Sequence, residues 1–124
     1  MLFVSAPLYV SGAREAFARV RAACAAVGRD PDEVVYSAMV GVLIAETPSD
    51  LRDRVRAVVD VFGGDADAEA WLAERRGRWI LGTLDEAEVQ IRALEAAGTE
   101  RIMLQNWLPR DLDMIGLLGR LATG

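Results

Sequence analysis

The sequence has no histidine and no lysine, and its single cysteine is Cys24. Without histidine there is no imidazole base, which excludes Ser-His-Asp and Cys-His mechanisms. Without lysine there is neither a Schiff-base amine nor a Walker-type phosphate lysine. A zinc site would have to be assembled from carboxylates and one thiol, so no metal is expected. One cysteine permits no internal disulfide, and nothing calls for an oxidising compartment. No apolar run reaches the ~18 residues of a membrane span. The opening MLFVSAPLYVSGAR lacks the basic start of a signal peptide. The expectation is a soluble, cytoplasmic protein.

What is present is 124 residues, the size of one domain. We read 1–124 as a single domain, with 1–11 as a strand or docked arm of uncertain role. All 14 basic residues are arginine, against 19 acids, for a net charge of −5. That balance argues against nucleic acid, whose phosphates need a basic face. The arginines are scattered among acids, as on solvated helix faces.

Ala13, Phe17, Val20, Cys24 and Val27 recur at alternating intervals of four and three, which predicts an amphipathic helix with Ser11 as its cap. Gly28 ends it, and Pro31 prevents continuation. Residues 34–45, VVYSAMVGVLIA, form an unbroken apolar run rich in β-branched residues. Such a run predicts a strand covered on both faces, as in a parallel sheet flanked by helices, with Ser37 and Met39 in the core. Thr47-Pro48-Ser49-Asp50 starts a helix along Leu51, Val55, Val58 and Phe62, stopped by Gly63-Gly64. A shorter helix spans residues 65–76 around Ala68, Trp71 and Leu72, within a polar middle that reads as an insertion. Residues 77–82 read as an irregular apolar connector. Thr83 and Glu86 form a Thr-x-x-Glu capping box for a helix along Ala87, Ile91 and Leu94, ended by Gly98. Residues 101–105, RIMLQ, predict a second buried strand. Pro109 and Asp111 open a last helix carrying Leu112, Ile115, Leu118 and Leu121. Alternating strands and helices imply an α/β fold with parallel strands, two or three in number.

Two stretches carry a likeness beyond these patterns, GRDPDEVVYSAMVGVLIAETPSDLRDRV and LGTLDEAEVQIRALEAAGTERIMLQNW. Together they resemble the carboxyl-terminal part of the bacterial luciferase-like monooxygenase family. The phrases are Gly28 to Pro31 before a strand, Gly82 to Glu86 opening a helix, and Ala97 to Arg101 leading into the last strand. The resemblance covers about residues 12–122. It implies a helix-rich, partial (β/α)8 TIM-barrel-like segment, from a fold that needs eight units and roughly 250 residues. It also implies redox chemistry on flavin mononucleotide (FMN) or the deazaflavin coenzyme F-420. Gln105, Asn106 and Trp107 close the last predicted strand at its carboxyl end, where barrel sites are built. They are the candidate cofactor-binding residues, and no catalytic residue is identified.

The length leaves two readings. One is a flavin- or deazaflavin-dependent oxidoreductase of monooxygenase type, or a truncated remnant of one, whose isolated chain lacks a complete active site and binds either such a cofactor or none. The alternative is a non-catalytic interaction or ligand-binding module that self-associates through its exposed sheet. Both predict a homo-oligomer or a partner chain, because two or three strands leave open edges.

Overall fold

The computed structural model describes residues 3–5, 10–65 and 67–123, the first of these as backbone. The order is β1 (Phe3–Ser5), α1 (Val10–Ala26), a 3-10 turn (Pro31–Glu33), β2 (Val35–Ala45), α2 (Pro48–Phe62), α3 (Ala68–Arg75), β3 (Ile80–Thr83), α4 (Leu84–Ala96), β4 (Arg101–Asn106) and α5 (Leu112–Thr123). The rest of the expected amino-terminal arm lies outside the described residues.

β2 is the axis of the fold, and the other three strands all pair with it in parallel. Ser37 pairs with Ser5 and Arg101, and Val42 with Ile80 and Asn106. A strand has only two edges, so β4 runs along one of them. β1 and β3 share the other, at its two ends. The sheet therefore has four strands. The added one, β3, includes part of the stretch read above as an irregular connector. At four residues it is too short to show a period of its own, and pairing with Val42 to Ala45 is what makes it a strand.

The strand period of two sorts the side chains into two faces. Tyr36, Ala38, Val40, Val42 and Ile44 form the outer face and are all buried. Phe17 of α1 meets Tyr36 edge-to-face at 5.2 Å. The Tyr36 hydroxyl donates to the Pro31 carbonyl at 2.9 Å, which satisfies the polar end of a fully buried ring. α4 and α5 contribute Ala87, Leu94, Met114, Leu117 and Leu121 to the same core. On the inner face, the ring of Trp79 lies against Gly41, so closely that a Cβ there would come within 2.3 Å of it. Trp79 meets Trp71 of α3 edge-to-face at 5.2 Å, and the Arg75 guanidinium lies 4.2 Å above the Trp71 ring centre. The polar middle of the sequence is thus anchored by two tryptophans.

The caps follow the sequence closely. The Thr47 side chain caps α2, and Asp67 caps α3. Thr83 and Glu86 form the full capping box of α4. Those hydrogen bonds from the Thr83 backbone and hydroxyl hold the Glu86 carboxyl below its ordinary pKa. Ser11 is not a cap, because α1 already starts at Val10.

Four burial expectations are corrected, the first being β4, expected to be buried, which has no fully buried residue because no strand lies along its other edge among the described residues. Met39 is 40% exposed, since the inner face has no cover at that point of the strand. Phe62 and Val27 are exposed, Phe62 because Val59 takes the inward place in α2. α5 buries Met114, Leu117 and Leu121, whereas Leu112 is 76% exposed and Ile115 is exposed as well. The buried face runs through Met114 and Leu117 and keeps only Leu121 of the expected stripe.

Candidate functional site

β4 runs in register along the middle of β2, with Met39 beside Met103 and Gly41 beside Gln105. These four residues share the inner face. The Gln105 side-chain amide donates to the Met39 sulfur at 3.3 Å, a weak bond that sets the orientation of both side chains. Gln105 and Met39 are exposed and Met103 is half-buried. The result is an open wall of two thioethers and one amide.

Just past the strand, Trp107 is 38% exposed, and its ring is tilted at 57° against Phe62 with centroids 5.2 Å apart. Phe62 ends α2, so this contact ties the carboxyl end of β4 to the helix that follows β2. Asn106 is used differently. Its Oδ1 accepts from the Leu108 N–H at 2.9 Å, and its Nδ2 donates to the Leu108 carbonyl at 3.4 Å. Both ends of that amide hold the turn after β4. The structure thus brings Gln105 and Trp107 to one rim, and it places Asn106 beneath them as a turn residue.

Sequence reasoning missed the exposure of Met39 and the pairing of Arg54 with Asp111. Met39 lies in an unbroken apolar run, where nothing local marks the exposed position. Arg54 and Asp111 are 57 residues apart, yet Arg54 Nε donates to Asp111 Oδ2 at 2.8 Å. Arg54 Nη1 also donates to the Ile44 carbonyl at 3.1 Å, near the end of β2. Asp111 in turn accepts from the Met114 N–H at 3.0 Å, capping α5. The Arg54 hydrogen bond holds the Asp111 carboxyl below its ordinary pKa, against the opposing effect of burial. This joint fixes the rim from behind.

Two grooves lie away from the wall. One, of about 580 Å³, runs over the outer face of β4 between Ile91, Ile102, Leu104 and Leu121. The other, of about 450 Å³, lies between the starts of α2 and α5, lined by Glu46, Asp50, Arg54 and Arg120 among others. Among the described residues, no group of three or more His, Cys, Asp or Glu side chains could hold a metal ion. No helix among them is long and apolar enough to cross a membrane.

No protein-family model matches the chain, and no curated protein matches it in sequence. Solved structures do match. A long-chain alkane monooxygenase, LadA, superposes with a TM-score of 0.69 at 15% identity, over 98% of this chain and 36% of its own. The α/β fold matches luciferase-like TIM-barrel folds over part of their length. A coenzyme F-420-dependent tetrahydromethanopterin reductase from Methanopyrus kandleri gives 0.62 at 17% identity, over 95% of this chain and 43% of its own. A riboflavin lyase, RcaE, solved with modified FMN and riboflavin, gives 0.61 at 17%, over 98% and 38%. The chain therefore spans about two fifths of the length of the structures it matches. At these identities the likeness is one of fold.

Proposed function

We propose that this chain is the carboxyl-terminal part of a flavin- or deazaflavin-dependent oxidoreductase of luciferase-like type, and that its inner wall at Met39, Met103 and Gln105 takes one edge of the cofactor ring. The observation that carries this reading is the Gln105 amide, placed near the carboxyl end of β4 and held on the sulfur of Met39 in the middle of the parallel strand β2.

The chemistry of the wall suits such a group. A flavin-type ring is flat and largely apolar, with hydrogen-bonding atoms along one edge. Thioethers adapt to flat aromatic surfaces, and a primary amide both donates and accepts. Trp107 offers a further aromatic surface at the same rim. Asn106 contributes by holding the turn, since its amide is already engaged. A bound flavin or deazaflavin would supply the electron transfer. This chain binds and orients the ring, and with no histidine or lysine it brings little acid–base chemistry of its own. FMN and F-420 both belong to the proposal, on the strength of the cofactors named for the matched structures.

A barrel draws its site from the ends of several strands, and β4 supplies one of them. Binding, rather than turnover, is therefore the direct test. FMN and then F-420 are titrated into the chain, followed by cofactor fluorescence. We expect saturable binding of one of them, weakened roughly 5- to 10-fold in Gln105→Ala, the scale of one lost hydrogen bond. Saturable binding of neither would overturn the reading and favour a non-catalytic interaction module.

A further inference from the structure

Of the eleven residues of β2, Met39 alone is exposed. Ser37 and Gly41, its neighbours on the same face, are both buried, so the opening is confined to one side chain. The position lies within the sheet and not at its edge, because β4 pairs with it through Met103. Three methionines lie among the described residues, and they form a series. Met39 is open, Met103 beside it is half-buried, and Met114 is fully buried in the core. Cys24, the one thiol that could compete for an oxidant, is buried as well. Oxidation of sulfur follows exposure, so a two-electron oxidant meets Met39 first.

What sets Met39 apart from any other exposed methionine is the group beside its sulfur. Gln105 Nε2 donates to Met39 Sδ at 3.3 Å. A thioether sulfur is a weak acceptor, so this bond contributes little in the reduced chain. A sulfoxide oxygen carries partial negative charge and accepts strongly. The usual harm of methionine oxidation is a polar oxygen set among apolar groups with no partner. Here the partner is already in place on the neighbouring strand, and Gln105 is itself exposed and free to follow the added oxygen.

We propose that Met39 is an oxidation site of this chain and that Gln105 captures the sulfoxide formed there. Hydrogen peroxide is the oxidant. The Met39 sulfur lone pair attacks one peroxide oxygen, an S–O bond forms and the O–O bond breaks. The proton of the attacked oxygen passes to the departing hydroxide, which leaves as water. The sulfur is oxidised by two electrons and the peroxide is reduced. The step converts a soft apolar patch of the wall into a polar one, and it commits an amide that was only loosely engaged. Any effect of that change on a bound flavin rests on the cofactor reading, whereas the oxidation and its capture rest on these two side chains alone.

The test uses the full chain. Limited hydrogen peroxide is followed by peptide mass mapping. Met39 should gain one oxygen several-fold faster than Met103 and more than about tenfold faster than Met114, which reacts only on local opening. Capture is read by denaturant melts of wild type and Gln105→Ala, each before and after the single oxygen is added to Met39. Oxidation should lower the folding equilibrium constant about five- to tenfold more in Gln105→Ala than in the wild type, the scale of one hydrogen bond. Independently of that variant, the Gln105 side-chain amide proton of the wild type should move downfield on oxidation, as a stronger hydrogen bond requires. Met103 or Met114 reacting as fast as Met39, an equal loss of stability in the two chains, or an unmoved Gln105 amide resonance would each overturn the proposal. Flavin titration reads none of these quantities, so failure here is distinct from failure of the cofactor reading.

Discussion

Along β3 the sheet ends in a side chain, whereas along β4 it ends in the main-chain groups of Ile102 and Leu104, which turn away from β2. Gln90 of α4 accepts from the Leu81 N–H at 3.1 Å and donates to the Leu81 carbonyl at 2.6 Å. One amide thus takes the place that a neighbouring strand would fill. Its nitrogen also donates to the Glu86 carbonyl at 3.1 Å, which fixes it on its own helix. Nearby, Trp79 covers Gly41 and stacks on Trp71. No comparable side chain seals β4 among the described residues, and the helix beside it shows an apolar stripe outward. The contrast teaches that one edge of this sheet is sealed locally by a side chain, whereas the other carries no such seal among the described residues.

The largest expected effect breaks the sealed side. Gly41→Ala drives a methyl into the Trp79 ring and should cost about 1–3 kcal/mol, the usual range for overpacking. Thermal melting with tryptophan fluorescence checks it. A variant as stable as the wild type would mean that the Trp79 cover is loose and that the two sides differ less than described.

A somewhat smaller effect is expected where the two sides are joined. Asp111→Asn removes the charge partner of Arg54, whose side chain is only 13% exposed, and should cost about 1–2 kcal/mol near neutral pH. The carboxyl titrates below its ordinary value when folded, so its contribution is complete above the unfolded pKa of about 4. That contribution fades as pH falls through the lower, folded value. Denaturant melts from pH 7 down to acid should therefore converge for wild type and variant. Curves that stay parallel would show that the charge contributes nothing.

The smallest effect makes the two edges alike. Gln90→Ala strips the seal from β3 and should cost about 1 kcal/mol, with faster amide exchange at Leu81 and unchanged exchange in β4. If Leu81 remains protected, something other than Gln90 closes that edge.

Much of this architecture could be read from local pattern. The eleven-residue β2, the Thr47 cap and the Thr83–Glu86 box are set by residues within a few positions of one another, and the structure keeps them. What could not be read depends on distant partners. α5 is apolar on more than one side, and only the sheet decides that Met114 and Leu117 go in while Ile115 stays out. β3 is four residues that become a strand by pairing with β2. Within the uniformly apolar β2, no local feature distinguishes the open position of Met39 from the covered position of Gly41. At the candidate site, the end of β4 was legible from strand order, which located Gln105 and Trp107. The engagement of Asn106 with Leu108 and the reach of Arg54 to Asp111 are matters of geometry that composition does not carry.

The Gln90 seal has a consequence for the order of events during folding. It closes a loop of only nine residues, between a strand and the helix directly after it. Loops this short cost little chain entropy to close and form early. The β3 edge can therefore be protected as soon as α4 winds, before β2 and β4 have found each other across more than sixty residues of chain. No such local device serves β4. Its pairing with β2 has to wait until that long stretch of chain has closed.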